Sequence, residues 1–177
     1  MDHIKIIRAL AARPNDTRGR LIAGDLTVDC AFGRSGLTDH KQEGDGATPI
    51  GKWPLRQLFH RPDQPAPPAT GLPSIEISAD SGWCDDPGHD SYNQLVRLPF
   101  AASHEKLWRE DSLYDLMIPL GYNDDVIVPG KGSAIFFHLA KNNYQPTEGC
   151  VAISNEHMRQ LLPHLSPDTV MQIEFAP

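Results

Sequence analysis

The sequence predicts a mainly β chain, a β-rich α+β class with one or two short helices. Three observations carry this. The 177 residues include 14 Gly and 16 Pro, which interrupt helices every few positions and supply turns. The apolar residues fall mostly in short runs or alternate with polar ones, the period of a half-buried strand. A single segment, near the C-terminus, has apolar residues at helical spacing.

Taken in order, residues 3–8 (His-Ile-Lys-Ile-Ile-Arg), 20–31 and 74–78 (Ser-Ile-Glu-Ile-Ser) read as short β runs bounded by Gly, Pro, Asn or Asp. The Pro-rich stretch 61–73 reads as a stiff surface loop within one domain spanning 1–177, because neither flank looks able to fold alone. Residues 81–94 form a loop loaded with aromatic, acidic and amide groups, and Ser103 reads as the cap of a short helix through about Arg109. Residues 113–120 and 133–139 read as strands. In the second, period two puts Ala134, Phe136 and His138 on one face and Ile135, Phe137 and Leu139 on the other. Met158, Leu161, Leu162 and Leu165 make the helical stripe, with Ser154 or Asn155 as N-cap and Pro167 beyond its end. Met171, Ile173 and Phe175 alternate with polar residues in a closing half-buried strand, and the whole reads as mostly antiparallel.

Composition narrows the function. A net charge of −7 without a basic block argues against nucleic acid or an anionic membrane surface as partner. No apolar run approaches a membrane span, and the first ten residues show no basic segment followed by an apolar one, so no export signal is visible. Three cysteines, Cys30, Cys84 and Cys150, are too few for a disulfide scaffold and leave at least one free thiol.

The informative segment runs from Ser133 to Ser154. His138 ends an apolar strand, a polar loop follows, and Thr147-Glu148-Gly149-Cys150 leads into Val151-Ala152-Ile153 and then the helix. A nucleophilic thiol needs a base or imidazolium partner and N–H donors for the oxyanion formed on attack. Gly149 permits a tight turn that presents consecutive amides to one point. The same residues also fit a buried small hydrophobe beside a core histidine. A zinc site of Cys150 and His138 with Cys84 or His89 lacks the usual short ligand spacing.

The ordered pair of motifs resembles the L,D-transpeptidase catalytic domain (the YkuD or ErfK family). Thr147-Glu148-Gly149-Cys150 downstream of His138 matches the family's His, loop, Ser/Thr-x-Gly-Cys signature. Gly46-Ala47-Thr48-Pro49-Ile50-Gly51-Lys52-Trp53-Pro54-Leu55 resembles the Thr-Pro-x-Gly turn and strand that precede it. The resemblance implies a β-sandwich, Cys150 as nucleophile, His138 as general base, and an oxyanion hole from the amides around Gly149 and Cys150. It also implies that a backbone carbonyl near Leu139 or Ala140 orients the imidazole, and that no metal or organic cofactor takes part. Val151-Ala152 stands where the family usually has Arg or Asn soon after the cysteine, and the loop from His138 to Cys150 is short. Both differences bear on the substrate pocket.

The function implied by the resemblance is that of a peptidoglycan L,D-transpeptidase. Such an enzyme crosslinks stem peptides through a thioester, acts in the periplasm or cell envelope, and is open to carbapenem inhibition. An L,D-carboxypeptidase using the same residues, a non-catalytic peptidoglycan-binding domain and a zinc peptidase are the alternatives. A stem peptide with meso-diaminopimelate carries carboxylates and an ammonium group. Arg109, with Arg97 or Lys141 behind it, is expected to fork a carboxylate. Asp85, Asp86 or Asp111 would meet the ammonium, and Trp83, Trp108 and Tyr114 would exclude water. Tyr92, Asn93 and Thr147 are expected along the same groove. Each of these also has an ordinary packing role available, such as Asp86 opening a turn before Pro87.

Overall fold

The computed structural model describes residues 3–177; Met1 and Asp2, the start of the segment read for a leader, lie outside the described residues. In chain order the strands are β1 (Ile6–Ala11), β2 (Arg18–Ala23), β3 (Leu26–Ala31), β4 (Leu37–Thr38), β5 (Thr48–Pro49), β6 (Gly51–Pro54), β7 (Leu58–His60) and β8 (Ser74–Glu76). They continue with β9 (Ser81–Cys84), β10 (Leu95–Arg97), β11 (His104–Lys106), β12 (Leu116–Pro119), β13 (Phe136–Leu139) and β14 (Val151–Ile153). Helix α1 (Asn155–Leu161) and β15 (Val170–Phe175) close the chain.

Ten strands form one large curled sheet in the order β6-β15-β1-β2-β3-β14-β13-β12-β7-β8. Most pairings are antiparallel, but β1 with β15, β13 with β14 and β7 with β8 run parallel. A three-stranded sheet, β10-β9-β11, covers part of the large one. The central strands are buried on both faces, so alternation sorts their residues between two cores. Phe137, Leu139, Ile118, Val151 and Ile153 enter the larger core with Met158, Leu161 and Leu162. Phe136, Met117 and Cys150 enter a smaller one with Phe59, Leu107 and Tyr114, against which Trp83 and Trp108 pack.

The helical stripe and its cap are as expected: Ser154 Oγ accepts from His157 N at 3.2 Å, and Met158 and Leu161 are buried. The closing strand also stands where its alternation puts it. Other boundaries move. The first strand begins at Ile6 rather than at His3. The run 20–31 is a hairpin, broken at Gly24-Asp25, where Gly24 takes φ 58, a left-handed value suited to a two-residue turn. The third run ends at Glu76.

The helix expected after Ser103 does not form. Residues 104–106 are β11, which pairs antiparallel with β9, so backbone partners across the sheet override a local capping signal. The expected strands 113–120 and 133–139 shorten to 116–119 and 136–139. In the second, Ala134 adopts φ 53, a left-handed value, so the extended run begins only at Phe136.

Candidate active site

A cleft of about 540 Å³ opens beside β13 and the turn before β14, and Cys150 and His138 both line it. Parallel pairing sets His138 beside Ala152, which places Cys150 one side-chain step away on the same face of the sheet. The spatial relation that the sequence pattern suggests therefore comes from strand register.

The turn that carries Cys150 is built by the two motifs together. Gly149 has φ 136, and a Cβ there would stand 2.9 Å from Ala47 O, so the left-handed backbone and the close approach both require glycine. Thr147 Oγ1 donates to Cys150 O at 2.7 Å and accepts from Gly149 N at 3.1 Å. Thr48 Oγ1 accepts from Gly33 N at 2.8 Å and reaches Cys150 O at 3.4 Å. Arg34 N donates to Thr147 O, and Thr147 N donates to Phe32 O. The upstream Thr-Pro turn is the floor on which the cysteine turn rests.

His138 is 4% exposed, and its Nδ1 lies 2.8 Å from Leu139 O. That carbonyl accepts the Nδ1 proton and leaves Nε2 with the lone pair. It is one of the two carbonyls the family pattern suggests. Tyr114 meets the imidazole edge-on at 5.1 Å between ring centroids and fixes its plane.

The sulfur is not bonded to the imidazole. Cys150 Sγ donates to Ala134 O at 3.3 Å and accepts from Phe136 N at 3.3 Å. The left-handed Ala134 is what turns that carbonyl toward the thiol. Burial pushes the Cys150 thiol up to about 12, with the Glu105 carboxylate adding to the rise. Burial also drops the His138 imidazole to about 4, against the pull of the Leu139 carbonyl. Both shifts favour the uncharged forms, so the cleft holds a thiol and a neutral imidazole rather than an ion pair.

Of the substrate-binding residues expected from sequence, Asp85, Arg109, Tyr114 and Thr147 line the cleft, as does Lys141. The others occupy different places. Asn93, at φ 56 and 6% exposed, accepts from Trp83 Nε1 and Ala134 N, both at 3.0 Å, and donates to Tyr122 O and Asn123 O. It is a buried hub that holds the Ala134 backbone. Trp83 packs edge-on against Phe136 and Phe59 inside the smaller core. Tyr92 is buried and donates to Glu43, whose carboxylate also accepts from Ser133 Oγ.

Trp108 lies under the Arg61 guanidinium at 3.8 Å. Asp111 clamps Arg109 with two bonds of 2.8 and 2.5 Å, which takes up the fork expected to bind a carboxylate. Asp86 Oδ1 accepts from Gly88 N at 2.9 Å, the turn chemistry expected before Pro87. Arg97 sits on β10, paired with Asp80 on the exposed side. Cys30 and Cys84 are buried and unpaired. Among the described residues no cluster of His, Cys, Asp or Glu fits a metal ion. Sequence reasoning missed Glu105, Lys41 and Glu43 in the cleft; each lies in a polar stretch with no local pattern to mark it.

A curled, mostly β sheet with a glycine-turned thiol and a carbonyl-held imidazole on neighbouring strands defines a cysteine-and-histidine cleft. A family model described as YkuD, the L,D-transpeptidase catalytic domain, matches residues 14–173, and the chain belongs to that family. The family acts on peptidoglycan, which connects this protein to the cell wall. No curated protein and no solved structure matches the chain significantly.

Proposed function

We propose that this chain is a peptidoglycan L,D-transpeptidase, a single catalytic domain in which Cys150 is the nucleophile and His138 the general base. The observation that carries the reading is the shared face: Cys150 and His138 open into one cleft, with Nδ1 tied to Leu139 O so that Nε2 is the free acceptor. The neutral pair fits a base that takes the thiol proton as attack begins, rather than a stored thiolate.

In this mechanism the sulfur leaves Ala134 O by rotation about its Cα–Cβ bond and gives its proton to His138 Nε2. It attacks a carbonyl of the donor stem peptide. The amide of Cys150, next to the Gly149 turn, donates to the oxyanion. Collapse expels the downstream amine, which takes the proton from His138 and leaves a thioester. An acceptor amine then attacks the thioester, its proton passes to His138 and on to the departing thiolate, and the crosslink forms. Water in place of the amine makes the same site an L,D-carboxypeptidase. The chemistry needs neither metal nor organic cofactor, and its substrate places the work in the periplasm or cell envelope.

Intact-mass spectrometry after carbapenem exposure tests the assignment. The wild-type chain gains one adduct of the drug's mass, and Cys150→Ala gains none. The same adduct on both proteins, or on neither, overturns it.

A further inference from the structure

Strand β11 is an edge of the three-stranded sheet, with β9 as its partner among the described residues. In the antiparallel ladder between them, Asp85 N donates to Ser103 O at 3.2 Å and Leu107 N donates to Ser81 O at 3.0 Å. Those two bonds fix the phase of the ladder. Residues 103, 105 and 107 turn their amides and carbonyls toward β9, so those of His104 and Lys106 point the opposite way. Cys84, opposite His104, agrees with this phase, because its own amide donates to Gln94 O on the far side of β9 at 2.9 Å. Among the described residues, the main-chain groups of His104 and Lys106 make no other backbone hydrogen bond.

His104 and Lys106 also line the cleft that holds Cys150, which puts this unpaired edge in the cleft wall. His104 is half-buried and Lys106 exposed. The strand is held firmly in that place. Glu105 Oε1 accepts from Tyr114 OH, the tyrosine whose ring meets His138, and Leu107 is buried in the smaller core with Cys150. Two amides and two carbonyls that repeat at about 7 Å match every second residue of an extended peptide. Proteins usually blunt or cover a free edge because it recruits another strand. This one borders a thiol instead.

We propose that the free edge of β11 is a strand-addition subsite: the peptide that Cys150 attacks lies along it as a fourth strand of the small sheet, bonded through its main chain to His104 and Lys106. The inference rests on Cys150 being the nucleophile. It defines the substrate as an extended peptide held by its backbone, and it leaves side-chain selectivity to the rest of the cleft. Because the edge is fixed to the same packed unit as the thiol and the imidazole, pairing also sets where the peptide's carbonyl stands relative to the sulfur.

Deleting one backbone amide tests this. Binding of a stem tetrapeptide containing meso-diaminopimelate is measured by calorimetry on the Cys150→Ala protein, which cannot turn the peptide over. Two further variants are made in that protein. Lys106→Ala removes the side chain and keeps the amide, whereas Lys106→Pro removes both. The ladder with β9 does not use the Lys106 amide, and an edge strand tolerates proline where the N–H faces away from its partner. The proline variant is expected to bind the tetrapeptide about tenfold more weakly than the alanine variant, the size of one main-chain hydrogen bond.

Amide hydrogen exchange, read by NMR on Cys150→Ala with and without saturating tetrapeptide, is the second arm and stands even where the proline variant fails to fold. The amides of His104 and Lys106 are expected to slow on binding, while those of Glu105 and Leu107, already turned to β9, change least. Equal binding by the two folded variants, no slowing at His104 and Lys106 in the saturated protein, or a tetrapeptide that does not bind overturns the subsite. A carbapenem adduct on the wild-type Cys150 together with any of these results sinks the subsite alone. Slowed exchange and a proline-specific loss without an adduct sink the transpeptidase reading alone.

Discussion

Thr48→Val isolates the link between the two sequence motifs. The substitution keeps the shape of a side chain that is 0% exposed and removes its hydroxyl. Gly33 N, in a buried position, then loses its acceptor at 2.8 Å. Cys150 O loses only a long contact of 3.4 Å and keeps Thr147 Oγ1 at 2.7 Å. The stranded Gly33 N–H therefore sets the size of the effect, and an unsatisfied buried donor costs about 1–3 kcal/mol. With a urea m-value of about 2 kcal/mol/M, a loss of about 2 kcal/mol lowers the unfolding midpoint by about 1 M. Urea titration followed by tryptophan fluorescence measures it. The same variant should acylate more slowly with a carbapenem, because the floor under the Gly149 turn is loosened. A midpoint within about 0.2 M of wild type would refute the reasoning, since the hydroxyl would then have no structural task.

Two more residues of the cleft and its support give measurable outcomes. The His138 imidazole is held at about 4 in the fold against 6.5 in the open chain, so the unfolded state binds the extra proton between those values and stability falls as pH drops from 6.5 toward 4. The full loss is about 3 kcal/mol, read as a falling melting temperature over that window, and a folded His138→Gln should lack this component; an unchanged pH slope in that variant refutes the assigned shift. Asn93→Ala removes four bonds from a buried side chain and frees the Ala134 backbone that holds the thiol. It should cost about 2–4 kcal/mol and slow acylation as well, and a variant as stable as wild type would show that Asn93 is not a hub.

The capped helix and the closing strand were legible because their information is local: a serine, an apolar stripe and a run of alternation fix them without reference to the rest of the chain. The strand at 104–106 was not, because its reason to exist is the backbone of β9, about twenty residues earlier. Trp83, Tyr92 and Asn93 illustrate a second limit. An aromatic or amide residue in a Gly- and Asp-rich loop has the same local signature whether it faces a ligand or turns inward to hold other loops, and here all three turn inward.

By itself the sequence determined the β-rich class, while Cys150 and His138 were singled out by the resemblance of their motifs to a known family, because the same residues also fit a buried thiol beside a core histidine. Tertiary structure alone decided that Ala47 and Thr48 underlie Gly149 and Cys150, about a hundred positions on. It also decided that the thiol faces Ala134 O and that Arg109 is already taken by Asp111. The physical reason is that charge state and hydrogen-bond partner depend on what the fold packs around a group. Residue type and spacing specify only which groups are available.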